Sequence, residues 1–467
     1  MNKKKLNVLL LNPPYKEPII RDNYCCFTSK SQYIWPPIDL LYISGILRHA
    51  DIAVSVIDAV IEKQSWEVVE KHVLKQKPDV IIMLTGTVSF QDDLEGLRSL
   101  VQKTKARSYV LGNTPAFKPL HFLRTYDFLT GIFHNFFDTR IRDEILEKSP
   151  SIESISTNKK GKHHIGKVNF LPHNHQLPLI SPPQYDLFPL AKYTTPIAKR
   201  SPMATVLTGF GCPFTCKFCI ASAIDFHPRQ IKDLENEFDE LQKKGVKEVF
   251  FEDSTFNKNE THLNMICNLL IGKNYQFTWS ANIHSFNVTE TNLRLMKKAG
   301  CHTVQIGVES GNQEILNQYA PSKRKEKIED AFHLCKKVGI RTLGYFIIGF
   351  PTEDKNKAKE TIDFAKNLNP HFASFSVLTP DYGTKLHDEA LQKNLIPEDT
   401  IFQFDSSNRA ILENPTFSRE DQDQLVKNAY TQFYLRPFKM MTYLTDYKNI
   451  PVMIQNGLRL IRKKIWN

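Results

Sequence analysis

Three cysteines of this chain, Cys212, Cys216 and Cys219, lie within eight residues of one another, although the 467 residues contain only eight cysteines in all. Gaps of three and then two residues let three thiolates reach one metal centre from a single loop, and Gly209 and Gly211 let the backbone turn tightly around it. Iron–sulfur clusters of the cubane type usually take four cysteine thiolates. Three local ligands would leave one iron open to a ligand from outside the protein, and the spacing therefore favours an iron–sulfur site.

The spacing of these cysteines is also compatible with two other kinds of site. The three thiols and His227 have the donor types of a structural Cys3His zinc site, although zinc modules usually pair two short ligand-bearing turns. The Cys216-x-x-Cys219 pair has the spacing of a redox disulfide, but that reading leaves Cys212 without a role.

The elements before this loop alternate between short apolar runs and helical periodicity from residue 6 to about residue 145. This alternation predicts a doubly wound, Rossmann-like parallel sheet. Such sheets bind ligands beyond the carboxyl ends of their strands. The loops expected at that edge are Asn12–Tyr15, Asp58–Ala59, Thr85–Thr87 and Gly112–Pro115.

A second alternating region covers residues 203 to about 380, where three helices end near Gly245, Gly300 and Gly339 and a strand follows each. Glycine is the usual left-handed cap of a helix. Six strands are expected here, which predicts a partial (β/α)6 barrel with its chemistry at the carboxyl ends of the strands. The cysteine loop directly follows the first of them. The predicted division is an N-terminal sheet domain (1–148), a proline-rich linker (149–200), a partial barrel (201–385) and a helical, basic C-terminal region (386–467).

The cysteine loop resembles the signature of the radical S-adenosylmethionine (radical SAM) enzymes, and further segments of residues 200–385 resemble that family's motifs in the expected order. These segments are Val249–Phe256, Ile306–Gly311, Gly344–Glu353 and Thr379–Thr384. The resemblance implies that Cys212, Cys216 and Cys219 hold a 4Fe–4S cluster whose open iron binds S-adenosylmethionine. It implies reductive cleavage of that cofactor to a 5′-deoxyadenosyl radical, which abstracts hydrogen from an unactivated carbon.

The same resemblance assigns roles to residues outside the loop. Phe218 is expected near the adenine, Asp253 and next Glu252 at the amino group of the cofactor, and Glu309 at its ribose or amino acid part. Ser310, Gly349 and Pro351, in the fourth- and fifth-strand motifs, are expected to line the same cofactor site.

The N-terminal region resembles the cobalamin-binding domain found in one radical SAM subclass. The similar segments are Leu9–Pro14, Pro36–Tyr42, Val56–Ala59 and Pro78–Ile81, while Gly112-Asn113 stands where that family has two glycines. The resemblance implies a cobalamin cofactor and methylation of an unactivated carbon. Without cobalamin, it implies a radical rearrangement, cyclisation or dehydrogenation.

The chain carries 61 basic and 50 acidic residues, a formal charge of +11. Such a surplus suits an anionic substrate, a membrane surface or nucleic acid. The basic, amphipathic end, Gly457–Trp466, is expected to touch a membrane surface or to pack on the barrel. The apolar runs are too short for a transmembrane helix or a signal peptide, so a cytoplasmic protein is predicted, membrane-associated if its basic end binds a membrane surface. Its expected partners are a small or lipid-like substrate and a flavodoxin or ferredoxin, without nucleic acid; the non-enzyme alternative is a zinc-stabilised nucleic-acid-binding protein.

Overall fold

The structure is a computed structural model with two large sheets, the first mainly and the second wholly parallel. It describes residues 5–437 and 439, apart from residues 24, 31, 149–150, 160, 170, 173–174, 178, 398–400, 402 and 406–408. The predicted α/β class, with parallel sheets and helices, is confirmed.

The N-terminal sheet has seven strands in the order β4-β1-β5-β6-β7-β8-β9. Their bounds are β1 Leu6–Asn12, β4 Ile52–Asp58, β5 Val80–Leu84, β6 Arg107–Leu111, β7 Gly131–Phe133, β8 Ile155–Lys159 and β9 Lys162–His164, and a separate hairpin pairs β2 Ile19–Arg21 with β3 Cys26–Thr28. The first five pair in parallel, whereas β8 and β9 pair antiparallel at the edge. The segment predicted as a linker therefore begins with two strands of this sheet.

Helices connect these strands and bury one side against them. They are α1 Ile38–Ile46, α2 Trp66–Gln76, α3 Phe90–Thr104, α4 Asn113–Phe117, α5 Pro119–Thr125 and α6 Ile141–Ile145. The central strand β5 is buried along its whole length, as expected for a parallel strand covered on both faces. The amphipathic helix α3 places Leu94, Leu97 and Leu100 in the core under this sheet.

The second sheet has six parallel strands in the order β10-β13-β14-β15-β16-β17, which is also their order along the chain. They are β10 Met203–Val206, β13 Glu248–Phe251, β14 Thr278–Ile283, β15 Cys301–Glu309, β16 Arg341–Ile348 and β17 Phe372–Val377. A small hairpin pairs β11 Gly209–Phe210 with β12 His227–Pro228 directly after β10. All six strands of the sequence prediction are present, shifted by a few residues at their ends.

The helices of this region are α7 Ile231–Lys243, α8 Glu260–Gly272, α9 Glu290–Lys298, α10 Gln313–Tyr319, α11 Lys325–Val338, α12 Lys355–Leu368 and α13 Lys385–Gln392. Short 3-10 helices cover Tyr185–Leu187, Ile220–Ala223 and Ser285–Asn287. Helix α11 ends at Gly339 in the left-handed conformation, as the helix–glycine–strand pattern predicts. Side chains of Thr289, Asn312 and Thr384 accept backbone hydrogen bonds and fix where α9, α10 and α13 begin.

A buried polar network joins α1 of the N-terminal sheet to the second sheet. Arg229, 1% exposed, pairs with Asp233 and Glu237 at 2.7 Å each and donates to the hydroxyl of Tyr42 at 2.8 Å. The Tyr42 hydroxyl also accepts from the backbone nitrogen of Leu207 at 3.0 Å. The two sheets are thus joined just before the cysteine loop.

The C-terminal part packs on the last strand. Helix α14, Arg419–Tyr434, places the Tyr434 hydroxyl 2.8 Å from the carbonyl of Ala373 and the Tyr430 hydroxyl 3.1 Å from that of Phe375. No helix within the described residues is long and apolar enough to cross a membrane. The predicted surface-binding segment, Gly457–Trp466, lies outside the described residues.

Candidate functional site

The three cysteines lie on the loop between β11 and β12, at the carboxyl end of β10. Pairing of Phe210 with His227 closes the base of this loop. Gly211 has φ +76, and a Cβ there would collide with the carbonyl oxygens of Ile224 and Asp225. Only glycine fits this turn without a backbone shift.

The loop is held by its own backbone and by neighbouring segments. The Ser222 hydroxyl lies 2.6 Å from the carbonyl oxygens of both Cys216 and Cys219. The backbone nitrogen of Lys217 donates to the carbonyl of Tyr319 at 2.8 Å. The carbonyl of Lys217 accepts from the backbone nitrogen of Leu386 at 2.9 Å. The cysteines are therefore presented on a braced loop, as a multi-iron site requires.

The chemistry of the three thiols fits an iron–sulfur cluster. Burial raises the pKa of each, that of Cys216 to about 12, so without metal the thiols keep their protons and release them when metal binds. In a cubane each cysteine binds a different iron, so the sulfurs need not converge on one point. Among the described residues no three His, Cys, Asp or Glu side chains converge as a single-ion site would require. His227, the fourth ligand of the zinc alternative, sits in β12 with Nδ1 3.1 Å from the carbonyl of His175.

Asp253 braces the start of the cysteine loop. Its Oδ1 accepts from the Thr208 nitrogen at 3.0 Å, the Thr208 hydroxyl at 2.7 Å and the Gly209 nitrogen at 2.9 Å. Burial raises the pKa of this carboxyl to about 6, against the opposing effect of these donors. The side chain assigned to the amino group of S-adenosylmethionine is thus already engaged with the protein backbone.

Half-buried Glu309 and buried Lys323 form an ion pair beside the cysteines. Glu309 ends β15 at φ +65, after a register shift, and its Oε1 is 3.5 Å from the Lys323 Nζ. Lys323 is 4% exposed and donates to the carbonyl of Gly307 at 2.7 Å. Burial raises the pKa of Glu309, and Lys323 opposes that rise. A residue at positive φ that forms a desolvated ion pair next to the cysteine loop is typical of a functional site.

The remaining predicted site residues are Phe218, Gly349, Pro351 and Ser310, and they differ in how many of their polar groups are already hydrogen-bonded within the protein. The half-buried ring of Phe218 meets Phe350 edge-on at 5.8 Å, next to the fifth-strand motif. Gly349 has φ +101, and its nitrogen donates to Glu353 at 2.6 Å, while the carbonyl of Pro351 accepts from Asn414. The Ser310 hydroxyl is fully buried between Thr361 and the nitrogen of Asn312.

Glu252 is separated from the others. It lies past the end of β13, where its carboxyl contacts Asp22 and Trp35 of the N-terminal region. Sequence reasoning missed Lys323, which comes from a loop between α10 and α11, and Asp22 and Asp39, which become neighbours of Glu252 only when the two sheets pack. His284, which follows β14, stacks its ring on that of Phe214 in the cysteine loop, with the ring centroids 3.9 Å apart.

The carboxyl edge of the N-terminal sheet also forms a cavity, of about 250 Å³, lined by Tyr15, Thr28, Val88 and Phe404 among others. It opens beside the predicted ligand loops after β1 and β5. The Asn113 side chain accepts from the nitrogen of Thr87 at 3.2 Å and so ties the loops after β5 and β6 together.

The sequence of this chain was compared with protein families and with individual proteins. Residues 206–365 match the profile of the Radical SAM superfamily. An uncharacterized methyltransferase of Pyrococcus horikoshii is 28% identical over 447 residues, covering 93% of this chain and 94% of that protein. Bacteriochlorophyllide d C-12(1)-methyltransferase of Chlorobaculum tepidum is 27% identical over 205 residues, covering 42% of this chain and 44% of that enzyme.

Two solved structures share most of the fold. The radical S-adenosylmethionine methyltransferase TsrM from Kitasatospora setae, with cobalamin and a [4Fe-4S] cluster bound, superposes with a TM-score of 0.66 at 15% identity, covering 83% of this chain and 78% of that chain. The cobalamin-dependent S-adenosylmethionine radical enzyme OxsB superposes with a TM-score of 0.62 at 18% identity, and the match covers 92% of this chain and 62% of that chain. The profile match spans the braced cysteine loop and the strand ends around it, so residues 206–365 of this chain are a Radical SAM domain.

Proposed function

We propose that this protein is a cobalamin-dependent radical SAM methyltransferase that methylates an unactivated carbon of a small molecule. The observation that carries the proposal is the set of three thiols on one braced loop, with Cys216 buried and Cys212 and Cys219 half-buried, at the carboxyl edge of a six-stranded parallel sheet. The methyltransferase names of the relatives and the cobalamin in the solved neighbours support the reaction class.

Cys212, Cys216 and Cys219 would hold the cluster, and Phe218, Glu309, Ser310, Gly349 and Pro351 would surround S-adenosylmethionine. When bound, the cluster supplies an electron to S-adenosylmethionine and cobalamin supplies the methyl group that is transferred. The protein keeps the loop rigid through Asp253 and Ser222. Lys323 places a positive charge beside the cysteines, where it would offset the negative charge of three thiolates.

Cobalamin would be held at the carboxyl edge of the N-terminal sheet by Asn12–Tyr15, Thr85–Val88 and Gly112–Thr114. The amides, hydroxyls and aromatic rings of this edge fit a large ligand of mixed polarity, and the cavity beside Tyr15 would admit part of it. These loops contain no histidine, so they would offer the cobalt no imidazole.

The division into a Rossmann-like domain (1–148), a linker (149–200), a partial barrel (201–385) and a helical region (386–467) belongs to the same proposal. The strand orders of the two sheets support it, and the pairing of β8 and β9 would move the first boundary to about residue 165. A flavodoxin or ferredoxin would supply electrons. Contact of Gly457–Trp466 with a membrane surface stays a prediction.

The proposal is tested by the products formed from S-adenosylmethionine. Protein reconstituted anaerobically with iron, sulfide and cobalamin and then reduced should form 5′-deoxyadenosine. It should also form up to one equivalent of S-adenosylhomocysteine per cobalamin, since without substrate the methyl group leaving S-adenosylmethionine can go only to cobalamin. Cys216→Ala should abolish both products. Cys267→Ala, which removes a thiol buried in α8 outside the cysteine loop, should leave both in place and serves as the matched control.

Formation of 5′-deoxyadenosine without S-adenosylhomocysteine would contradict the methyl transfer and leave the radical SAM assignment intact. It would favour the alternative of a rearrangement, cyclisation or dehydrogenation, which needs only the cluster and S-adenosylmethionine.

A further inference from the structure

A buried lysine lies in the turn that joins α10 to α11. Lys323 is 4% exposed. Its Nζ donates to the carbonyl of Gly307 at 2.7 Å and lies 3.5 Å from Oε1 of Glu309, and both of these residues belong to β15. Taking an ammonium group and a carboxylate out of water can cost more free energy than their attraction returns. Stability alone therefore does not explain this ion pair.

The turn that carries Lys323 is tied to the part of the cysteine loop before Cys216. The rings of Phe214 and His284 stack with their centroids 3.9 Å apart. His284 is 5% exposed, and its Nε2 lies 3.1 Å from the hydroxyl of Ser322, the residue before the lysine. The buried imidazole thus bridges the cysteine loop and the turn.

The same turn is tied to the part of the loop after Cys216. The backbone nitrogen of Lys217 donates to the carbonyl of Tyr319 at 2.8 Å, and the backbone nitrogen of Lys323 donates to the carbonyl of Ala320 at 2.9 Å, which closes the turn. Because contacts on both sides of Cys216 lead to this one turn, Lys323 is held next to the thiol. Burial raises the pKa of the Cys216 thiol, and the charge of Lys323 opposes that rise.

A fixed positive charge favours the more negative of two redox states. A cubane held by three thiolates carries negative charge, and the uptake of one electron adds to it. A charge that acts through the protein interior is screened much less than a charge at the surface. Net charge and solvent exposure are among the factors that set the reduction potential of a cluster. The charge of Lys323 would therefore make reduction easier, and that of Glu309 would make it harder.

We propose that Lys323, held by Glu309, raises the reduction potential of the cluster and so allows it to accept an electron from the donor protein. The inference rests on the proposed function, because that function requires both the cluster and its one-electron donor. Lys323 acts through its charge and is a positioning residue, not a ligand of iron.

The test is a redox titration of the reconstituted full-length protein with dithionite at pH 8, followed by electron paramagnetic resonance of the reduced cluster. At the midpoint potential of the wild type, Lys323→Met should lower the ratio of reduced to oxidised cluster about tenfold. For one electron this is a shift of about 59 mV to more negative potential. Glu309→Gln should shift the potential in the opposite direction, and Lys323→Arg, which keeps the charge, should stay near the wild type.

Lys439→Met is the matched control. Lys439 is also 4% exposed and also donates to a backbone carbonyl. That carbonyl belongs to Pro370, which precedes β17 at the amino end of the second sheet, so the cysteine loop lies at the opposite end of the strands. The control should keep the potential of the wild type. Iron content and thermal unfolding show whether each variant keeps its cluster and its fold, and Glu309→Gln carries the test if Lys323→Met loses its iron.

A Lys323→Met potential equal to that of the wild type, or to that of a Lys439→Met variant shifted by the same amount, would overturn the inference. So would shifts of Lys323→Met and Glu309→Gln in the same direction, because a merely structural pair would disturb the loop whichever partner is removed. Shifts of opposite sign in a protein that forms no S-adenosylhomocysteine would contradict the methyl transfer and leave the inference intact. A wild-type protein that takes up no iron would contradict both.

Discussion

Substitution of Asp253 distinguishes a loop-bracing carboxylate from a cofactor ligand. All three of its donors, the nitrogen and hydroxyl of Thr208 and the nitrogen of Gly209, converge on Oδ1. Asp253→Ala leaves three buried donors without an acceptor, at about 1–3 kcal/mol each. Because neighbouring losses do not add fully, we expect about 3–5 kcal/mol in total. Asp253→Asn keeps an acceptor at the Oδ1 position.

The Asn variant should therefore be nearly as stable as the wild type. Burial raises the pKa of Asp253 to about 6, above its ordinary value of 3.8, so carrying the charge destabilises the folded protein above pH 6. Removing that charge at pH 8 offsets the loss of Oδ2, which accepts only a second, longer bond from Thr208 at 3.2 Å. At about 2.1 cal/mol/K of unfolding entropy per residue over 467 residues, the melting temperature of Asp253→Ala should fall by about 3–5 °C. That of Asp253→Asn should stay within about 1 °C of the wild type.

The assay is thermal unfolding by circular dichroism under argon, combined with iron content and equilibrium dialysis of S-adenosylmethionine. If Asp253 only braces the loop, the Asp253→Asn variant should have the iron content of the wild type and bind S-adenosylmethionine with the same affinity. Thr208→Val, which removes one donor hydroxyl, should lose only about 1 kcal/mol. If Asp253→Ala proved as stable as the wild type, or if Asp253→Asn kept its stability but lost S-adenosylmethionine affinity tenfold, the bracing argument would fail.

Three further substitutions test other parts of the structure. Arg229→Met should destabilise the protein by about 3–5 kcal/mol, because it leaves the buried carboxylates of Asp233 and Glu237 without their cation; unchanged thermal unfolding would refute this. Gly211→Ala should reduce bound iron, because the added methyl collides with the carbonyl of Asp225 at a positive φ, and full iron content would count against that geometry. Glu353→Gln should gain stability relative to the wild type as pH rises from 5 to 8. Burial raises the pKa of Glu353 from 4.5 to about 8, so between these values only the folded wild type keeps the proton and its stability falls by up to about 1.4 kcal/mol per pH unit. A pH-independent difference in melting temperature would show that Glu353 does not titrate in this range.

Much of the site could be predicted because its signals are local in sequence. The cysteine spacing, the glycines of the loop and the repeated helix–glycine–strand junctions each depend on neighbouring residues. The strands β8 and β9 could not be predicted in the same way. Their residues are mostly polar, Ile155-Ser-Thr-Asn-Lys and Lys162-His-His, and they lie at a sheet edge where hydrophobic periodicity is weak.

The roles of Glu252 and Asp253 depended on contacts that the sequence does not show. Adjacent residues at a strand end point to opposite faces, but the sequence does not say which face is which. In the structure Asp253 turns to the cysteine loop and Glu252 to the N-terminal region. The contact of Lys323 with Glu309 could not be predicted from the sequence either, because it follows from the path of a loop between two helices.

Iron and product analysis of the anaerobically reconstituted, reduced protein tests the central claim most directly. The three-cysteine loop predicts a brown protein with about four irons per chain. It should convert S-adenosylmethionine to 5′-deoxyadenosine, and Cys212→Ala, Cys216→Ala and Cys219→Ala should each lose both the iron and the product. A colourless protein that holds one zinc and leaves S-adenosylmethionine intact would contradict the account.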